Sequence, residues 1–161
     1  MTPQYVLQAE DVAIHYGGVK ALDGVAITLE RGQIRGLIGP NGAGKSTVID
    51  AITGRTRLTR GKVVLDGEDV SHLGAVERRR RGLSRSFQRT SIFGGMTVLK
   101  QVELASYKMG VVDPGADAKA VLEELNLDNL THVHAEDLSY GEQRRLDLAL
   151  ALVGRPKLLM R

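Results

Sequence analysis

Cysteine is absent from the chain. That excludes disulfide frameworks, thiolate metal sites and cysteine nucleophiles. No apolar run approaches the roughly 20 residues that span a bilayer, so no membrane-crossing helix is expected. The first residues, Met1-Thr2-Pro3-Gln4-Tyr5, form neither a basic n-region nor an apolar h-region. No signal peptide is therefore expected, and the chain reads as a soluble cytoplasmic protein. A large charge excess is also missing, since the formal net charge is +3. Polyanion-binding specialists carry a stronger, clustered excess, so nucleic acid is not an expected partner. Aromatic residues make up 4%, which leaves few large core anchors. What the chain does have is glycine, 19 in 161 residues, and so many positions open to tight backbone turns. Hydrophobic residues at 42% and charged residues at 25% fit a folded globular chain rather than a disordered one. The length accommodates one domain with a real core, and the reading is an α/β protein with loops built around ligands.

Strand-like alternation dominates the first part. Val12, Ile14 and Tyr16 alternate, and Val25, Ile27 and Leu29 alternate again after the turn signals Gly17-Gly18 and Asp23-Gly24. A third apolar stretch, Ile34 to Ile38, follows Arg31-Gly32 and predicts a strand that ends at Gly39-Pro40. Lys45 to Thr53 then predicts a helix stopped by Gly54. Lys62 to Leu65 reads as a strand running into Asp66-Gly67, a hairpin signal. The pattern turns helical after Gly74, and the run Glu77-Arg78-Arg79-Arg80-Arg81 reads as a solvated helix face. Leu83 to Phe87 predicts a return to the sheet. Val98, Leu99, Val102 and Met109 keep helical spacing, as do Ala118, Val121, Leu122 and Leu125, with Asp113-Pro114-Gly115 separating the two. A last helix, about Gly141 to Val153, stops at Gly154-Arg155-Pro156, and Leu158-Leu159-Met160 begins a new apolar run.

Gly39-Pro40-Asn41-Gly42-Ala43-Gly44-Lys45-Ser46 fits the pattern G-x-x-x-x-G-K-[ST] in full. It follows a predicted strand and opens a predicted helix, the context this loop requires. Gly42 and Gly44 let the backbone curl so that successive N–H groups point at phosphate oxygens. The helix that follows adds the positive end of its dipole. Lys45 reaches the terminal phosphates as a mobile point charge. Ser46 offers a hydroxyl to Mg²⁺, and Thr47 adds a donor beside it. A P-loop of this kind implies a nucleoside triphosphate without naming the machine, because kinases, GTPases, helicases and transporters share it.

Two further segments narrow the choice. Leu138-Ser139-Tyr140-Gly141-Glu142-Gln143 opens the last helix, with Ser139 and Glu142 at capping-box spacing. Followed by Arg144-Arg145-Leu146, it resembles the signature of ATP-binding cassette (ABC) ATPases, whose family form is L-S-G-G-Q; Tyr140 departs from the third position. Ser86-Phe87-Gln88 resembles the family's Q-loop, and Tyr16 matches the aromatic that stacks on adenine. The resemblance implies that Gln88 touches Mg²⁺ or the attacking water and senses the permease. It also implies that Ser139 and Gly141 face the γ-phosphate of an ATP held by a second cassette, paired head to tail. The stretches Arg35 to Lys45, Ser84 to Arg89 and Met96-Thr97-Val98 look like cassettes that energise uptake of branched-chain amino acids; urea and short-amide importers are similar.

The fold this implies is an α/β P-loop NTPase core of the RecA-like kind, with an antiparallel N-terminal β subdomain and a helical insertion. Residues 1–91 would form the β subdomain and P-loop core, 92–138 the helical subdomain, and 139–161 the signature helix and the start of the next strand. The family continues from that strand to an aspartate, a catalytic glutamate and a switch histidine, and this sequence carries none of them. The expectation is the front portion of a cassette, with the C-terminal part of the core missing. Such a chain alone would bind ATP weakly and hydrolyse it negligibly, while the complete protein would be an ATPase. His132 and His134 precede the signature and read as surface residues. The expected partners are a second cassette and membrane permease subunits that would hold the protein peripherally on the inner face of the cell membrane. A non-transport cassette protein is the alternative of another class. A GTPase or small-molecule kinase is a third, but no N-K-x-D or acceptor site is evident.

Overall fold

The structure is a computed structural model that describes residues 4–86 and 91–161. The chain divides into two compact units, Met1–Leu83 and Ser84–Arg161. No helix among the described residues is long and apolar enough to cross a membrane.

The first unit is built on a four-stranded antiparallel sheet in the order β2-β1-β3-β4. Its strands are β1 (Tyr5–Tyr16), β2 (Val19–Glu30), β3 (Arg60–Leu65) and the short β4 (Glu68–Asp69). The alternation at Val25, Ile27 and Leu29 holds, with these residues half-buried between exposed neighbours. β1 is the central strand of the first three. It buries Val6, Leu7, Val12, Ala13 and Ile14, consecutive positions that point to opposite faces. A bulge interrupts its register between Ala9 and Val12, where Asp11 takes φ 48°. Arg60 donates two hydrogen bonds to the Asp11 carboxylate there, at 2.7 and 2.9 Å. β3 and β4 join through Asp66-Gly67 with φ 52° and 84°, the positive pair a tight hairpin turn needs.

α1 (Lys45–Ile52) packs on β1 and β2 and buries Val48, Ala51 and Ile52. It ends in a Schellman motif: Gly54 takes φ 75°, its N–H bonds Ala51 O at 3.3 Å, and Arg55 N–H bonds Asp50 O at 2.9 Å. The strand predicted over Ile34–Ile38 is not formed. Ile34 is 99% and Ile38 94% exposed, and the segment joins neither sheet among the described residues. An apolar run becomes a strand only when neighbours pair its N–H and C=O groups, and none does so here.

α2 (Ala75–Arg80) corrects a second expectation. The arginine run is not uniformly solvated, because Arg78 is 1% exposed. It faces inward beneath Gly54, the one member of the run whose helical phase points there.

The second unit joins a two-stranded sheet, β5 (Leu83–Arg85, whose first residue ends the first unit) with β6 (Leu158–Met160), to three helices. These are α3 (Val98–Lys108), α4 (Pro114–Glu124) and α5 (Tyr140–Leu152). Val98 and Val102 of α3, Val121 and Leu122 of α4, and Leu146 and Ala149 of α5 make one buried cluster. Periodic apolar spacing therefore produced the helices it predicted. Asp113-Pro114-Gly115 does not merely separate α3 from α4. Asp113 is the N-cap, accepting from Ala116 N at 2.9 Å, and Pro114 sits in the first turn. Buried polar side chains brace this unit. Ser106 Oγ donates to Asp117 Oδ2 at 2.6 Å, which also accepts from Gly154 N at 3.1 Å.

Candidate functional site

The phosphate loop is built by glycines in a left-handed conformation. Gly42 and Gly44 take φ 84° and 83°. At Gly44 a Cβ would also stand 3.0 Å from Leu22 Cδ2 and 3.4 Å from Ala21 O. Glycine is thus required there twice, by conformation and by the close approach of β2. Ala43 N–H bonds Pro40 O at 3.2 Å and closes the turn. Gly39 packs under it, a Cβ there meeting Ala43 Cβ at 3.3 Å. Asn41, Gly42 and Ala43 form the exposed rim.

Gly44 is the N-cap of α1 and contributes no side-chain cap, and the first turn holds no acidic residue. The free N–H groups at this helix end and its dipole therefore face outward for an anion. Lys45 Nζ donates to Gly39 O and Pro40 O, both at 2.6 Å. The ammonium is folded onto its own loop, with no carboxylate holding it in these bonds. Ser46 is exposed beside it and Thr47 half-buried. Small-residue rim, uncapped helix end, mobile cation and hydroxyl fit a polyphosphate with its divalent cation. Ser46 would hold that cation, together with Gln88, which lies outside the described residues.

Tyr16 ends β1 at the hairpin turn and pairs with Val19. The residue is 58% exposed, a large side chain with no burial to account for it. It belongs to the same hairpin whose Leu22 supports Gly44, so β1 and β2 present both the aromatic and the loop's last glycine.

The second motif starts α5. Ser139 is its N-cap within a reciprocal capping box. The Ser139 hydroxyl donates to Glu142 Oε2 at 2.6 Å, and Ser139 N–H donates to the same oxygen at 2.8 Å. Those two hydrogen bonds, hydroxyl first, hold the Glu142 carboxyl below its ordinary range. Tyr140 is 75% exposed, and a Cβ at Gly141 would meet nothing within 4 Å. Gln143 Nε2 donates to Leu138 O at 3.1 Å and Ala135 O at 3.3 Å, fixing the entry to the helix. His134 forms an isolated bridge with Thr97, a structural place in the backbone.

The loop and the capped motif occur in this order in a chain whose residues 22–161 match the sequence profile of the ABC transporter family. The chain belongs to that family. This ABC chain is 33% identical to the high-affinity branched-chain amino acid transport ATP-binding protein BraF of Pseudomonas aeruginosa, over 96% of the chain and 68% of BraF. It is 35% identical to the lipopolysaccharide export system ATP-binding protein LptB of Haemophilus influenzae, over 96% of the chain and 66% of LptB. It thus spans about two thirds of the length of these curated relatives. Among solved structures, it resembles the ADP conformation of an ATP-binding cassette of an ABC transporter. The TM-score is 0.86 at 30% identity, covering 98% of this chain and 68% of that one. The fold is accordingly that of an ABC ATPase, a P-loop NTPase with an antiparallel β subdomain and helices.

Sequence reasoning missed Arg78. Four consecutive arginines look alike in the sequence, and only the position of Gly54 distinguishes one of them.

Proposed function

We propose that the whole protein is the ATP-hydrolysing subunit of a membrane transporter and that this chain supplies its nucleotide-grasping part. The observation that carries the reading is the uncapped N-terminus of α1 behind Gly42 and Gly44, with Lys45 held, among the described residues, by loop carbonyls and by no carboxylate. Lys45 would leave Gly39 O and Pro40 O to pair with the terminal phosphates. Backbone N–H groups of residues 44–46 would surround them, Ser46 and Gln88 would hold Mg²⁺, and Tyr16 would stack on the base. Hydrolysis requires an oriented, activated water in addition to this binding set.

Ser139, Gly141 and the N-terminus of α5 form the complementary surface. They would meet the γ-phosphate held by a second cassette, so ATP would draw two subunits together head to tail. The permease would read that closure near Gln88, and would hold the protein peripherally on the inner face of the membrane. Uptake of branched-chain amino acids is the solute reading that the Arg35–Lys45 and Ser84–Arg89 stretches favour, and the name of BraF supports it. The name of LptB carries a different cargo, so the solute is a property of the accompanying subunits.

Titration calorimetry on the full-length protein tests the core of this reading. ATP should bind in preference to GTP, and Lys45→Ala should abolish binding. Retained binding in Lys45→Ala, or a preference for GTP, would overturn it. Recovering the full-length protein from membranes with its permease would identify the solute.

A further inference from the structure

Resting on the nucleotide-binding role of α1, we propose that Arg78 is a positioning residue: it clamps the C-terminal end of the P-loop helix and so sets where Lys45 and Ser46 meet the phosphates. A buried guanidinium ordinarily brings a carboxylate with it. Arg78 instead bonds carbonyl oxygens on two walls. Nη1 donates to Ala51 O at 2.9 Å and Ile52 O at 2.7 Å, in the last turn of α1. Nε donates to Leu73 O at 2.9 Å and Nη2 to Ser71 O at 3.0 Å, in the loop after β4. Helix-terminal carbonyls lack intrahelical partners, and a cation there complements the negative end of the dipole. Burial pulls the guanidinium below its ordinary pKa, opposed only by the charge of Asp69 acting through space.

The need for such a clamp follows from the other end of the helix. α1 has 8 residues, too few to be stable alone, and its N-terminus carries no side-chain cap. That end is left open for phosphate, so anchorage falls on the C-terminal end. Gly54 shapes the slot: a Cβ there would lie 2.8 Å from Arg78 Nε and 2.9 Å from Leu73 O. A planar fork reaches both walls at once, whereas a lysine ammonium is a single point and reaches one.

The test uses Arg78→Lys in the full-length protein, with ATP affinity by calorimetry and steady-state turnover, well below the melting temperature. Misplaced Lys45 and Ser46 would weaken phosphate contacts in the ground state and the transition state alike, so the Kd and KM for ATP should rise about tenfold while kcat stays within about twofold. Val121→Ala in α4 serves as a destabilised control and should leave Kd unchanged. A merely structural Arg78 would lower the active fraction, reducing kcat at unchanged KM and Kd, and that result overturns the proposal. If Arg78→Lys fails to fold, Gly54→Ala crowds the same guanidinium; a raised Kd supports the clamp and an unchanged Kd overturns it. Absence of ATP binding by the wild type would remove the nucleotide reading and the clamp together. Wild-type binding with an indifferent Arg78→Lys would remove the clamp alone.

Discussion

α1 and α5 begin alike and finish their N-termini in opposite ways. Each presents free N–H groups and a positive dipole end at its first turn. At α5 the chain supplies its own anion, since Glu142 accepts from both the hydroxyl and the N–H of Ser139. At α1 it supplies none, and Gly44 replaces a capping side chain. The difference teaches how one physical device serves two purposes. An internally capped terminus stabilises its helix locally, and at α5 the proposed contact with a second cassette's phosphate falls to Gly141 and the N–H groups that the cap leaves over. An unsatisfied one keeps its attraction for an external anion and must be stabilised elsewhere, here by the Schellman turn at Gly54 and by Arg78. The two ends thus differ in where stability and binding reside, and substitutions at each should separate the two quantities.

The largest effect is expected at the open end. Gly44→Val places a β-branched residue at φ 83° with its Cβ 3.0 Å from Leu22 Cδ2. The left-handed conformation alone costs on the order of 1–2 kcal/mol for a residue with a Cβ. ATP binding should be lost by calorimetry while far-UV circular dichroism stays native below the melting transition. Binding at wild-type affinity would show that the loop's left-handed backbone is not what cradles the phosphates.

The backbone of the glycine loop could be read in the sequence because its proposed chemistry is contiguous: the residues that would touch one ligand are neighbours in the chain. The same holds for the capping box, where Ser139 and Glu142 are three apart, and for α3, α4 and α5, whose apolar positions are spaced for one face. What could not be read depends on distant partners. Ile34–Ile38 has the composition of a buried strand, yet pairing decides a strand, and composition does not name the neighbour. Arg78 is chemically identical to Arg79, Arg80 and Arg81, and its burial depends on carbonyls more than 25 residues away. Asp113-Pro114-Gly115 reads in the sequence only as a separator, although Asp at the N-cap and Pro in the first turn are both helix-initiation signals.

A smaller effect is expected at the capped end. Ser139→Ala removes the hydroxyl that bonds Glu142 and should lower stability by about 1 kcal/mol, the usual value of an N-cap. ATP affinity of the single subunit should be unchanged, because Lys45 and the loop amides lie elsewhere in the chain. ATP-dependent dimerisation, followed by sedimentation of a hydrolysis-blocked full-length protein, should weaken. Normal dimerisation would confine Ser139 to a capping role and leave the comparison between the two helix ends purely structural.

The smallest effect tests whether the internal anion of α5 works by charge. Glu142 is half-buried, and the hydroxyl and N–H of Ser139 lower its pKa. A group whose folded pKa is depressed stabilises the fold above its unfolded pKa, and that contribution disappears as pH falls through the folded value. The charged cap is therefore complete at neutral pH and fades below the ordinary glutamate range, about pH 4.3. Glu142→Gln keeps an acceptor for the Ser139 N–H but carries no charge at any pH. Melting temperatures of the two proteins should differ most near neutrality and converge on acidification. Asp11, Asp23 and Asp69, whose pKa values are also lowered by their partners, are common to both proteins and cancel in the difference. A gap between wild type and Glu142→Gln that stays constant with pH would mean that the carboxylate acts by shape and hydrogen bonding alone. The contrast with α1 would then rest on which end has an acceptor, and not on which end has an anion.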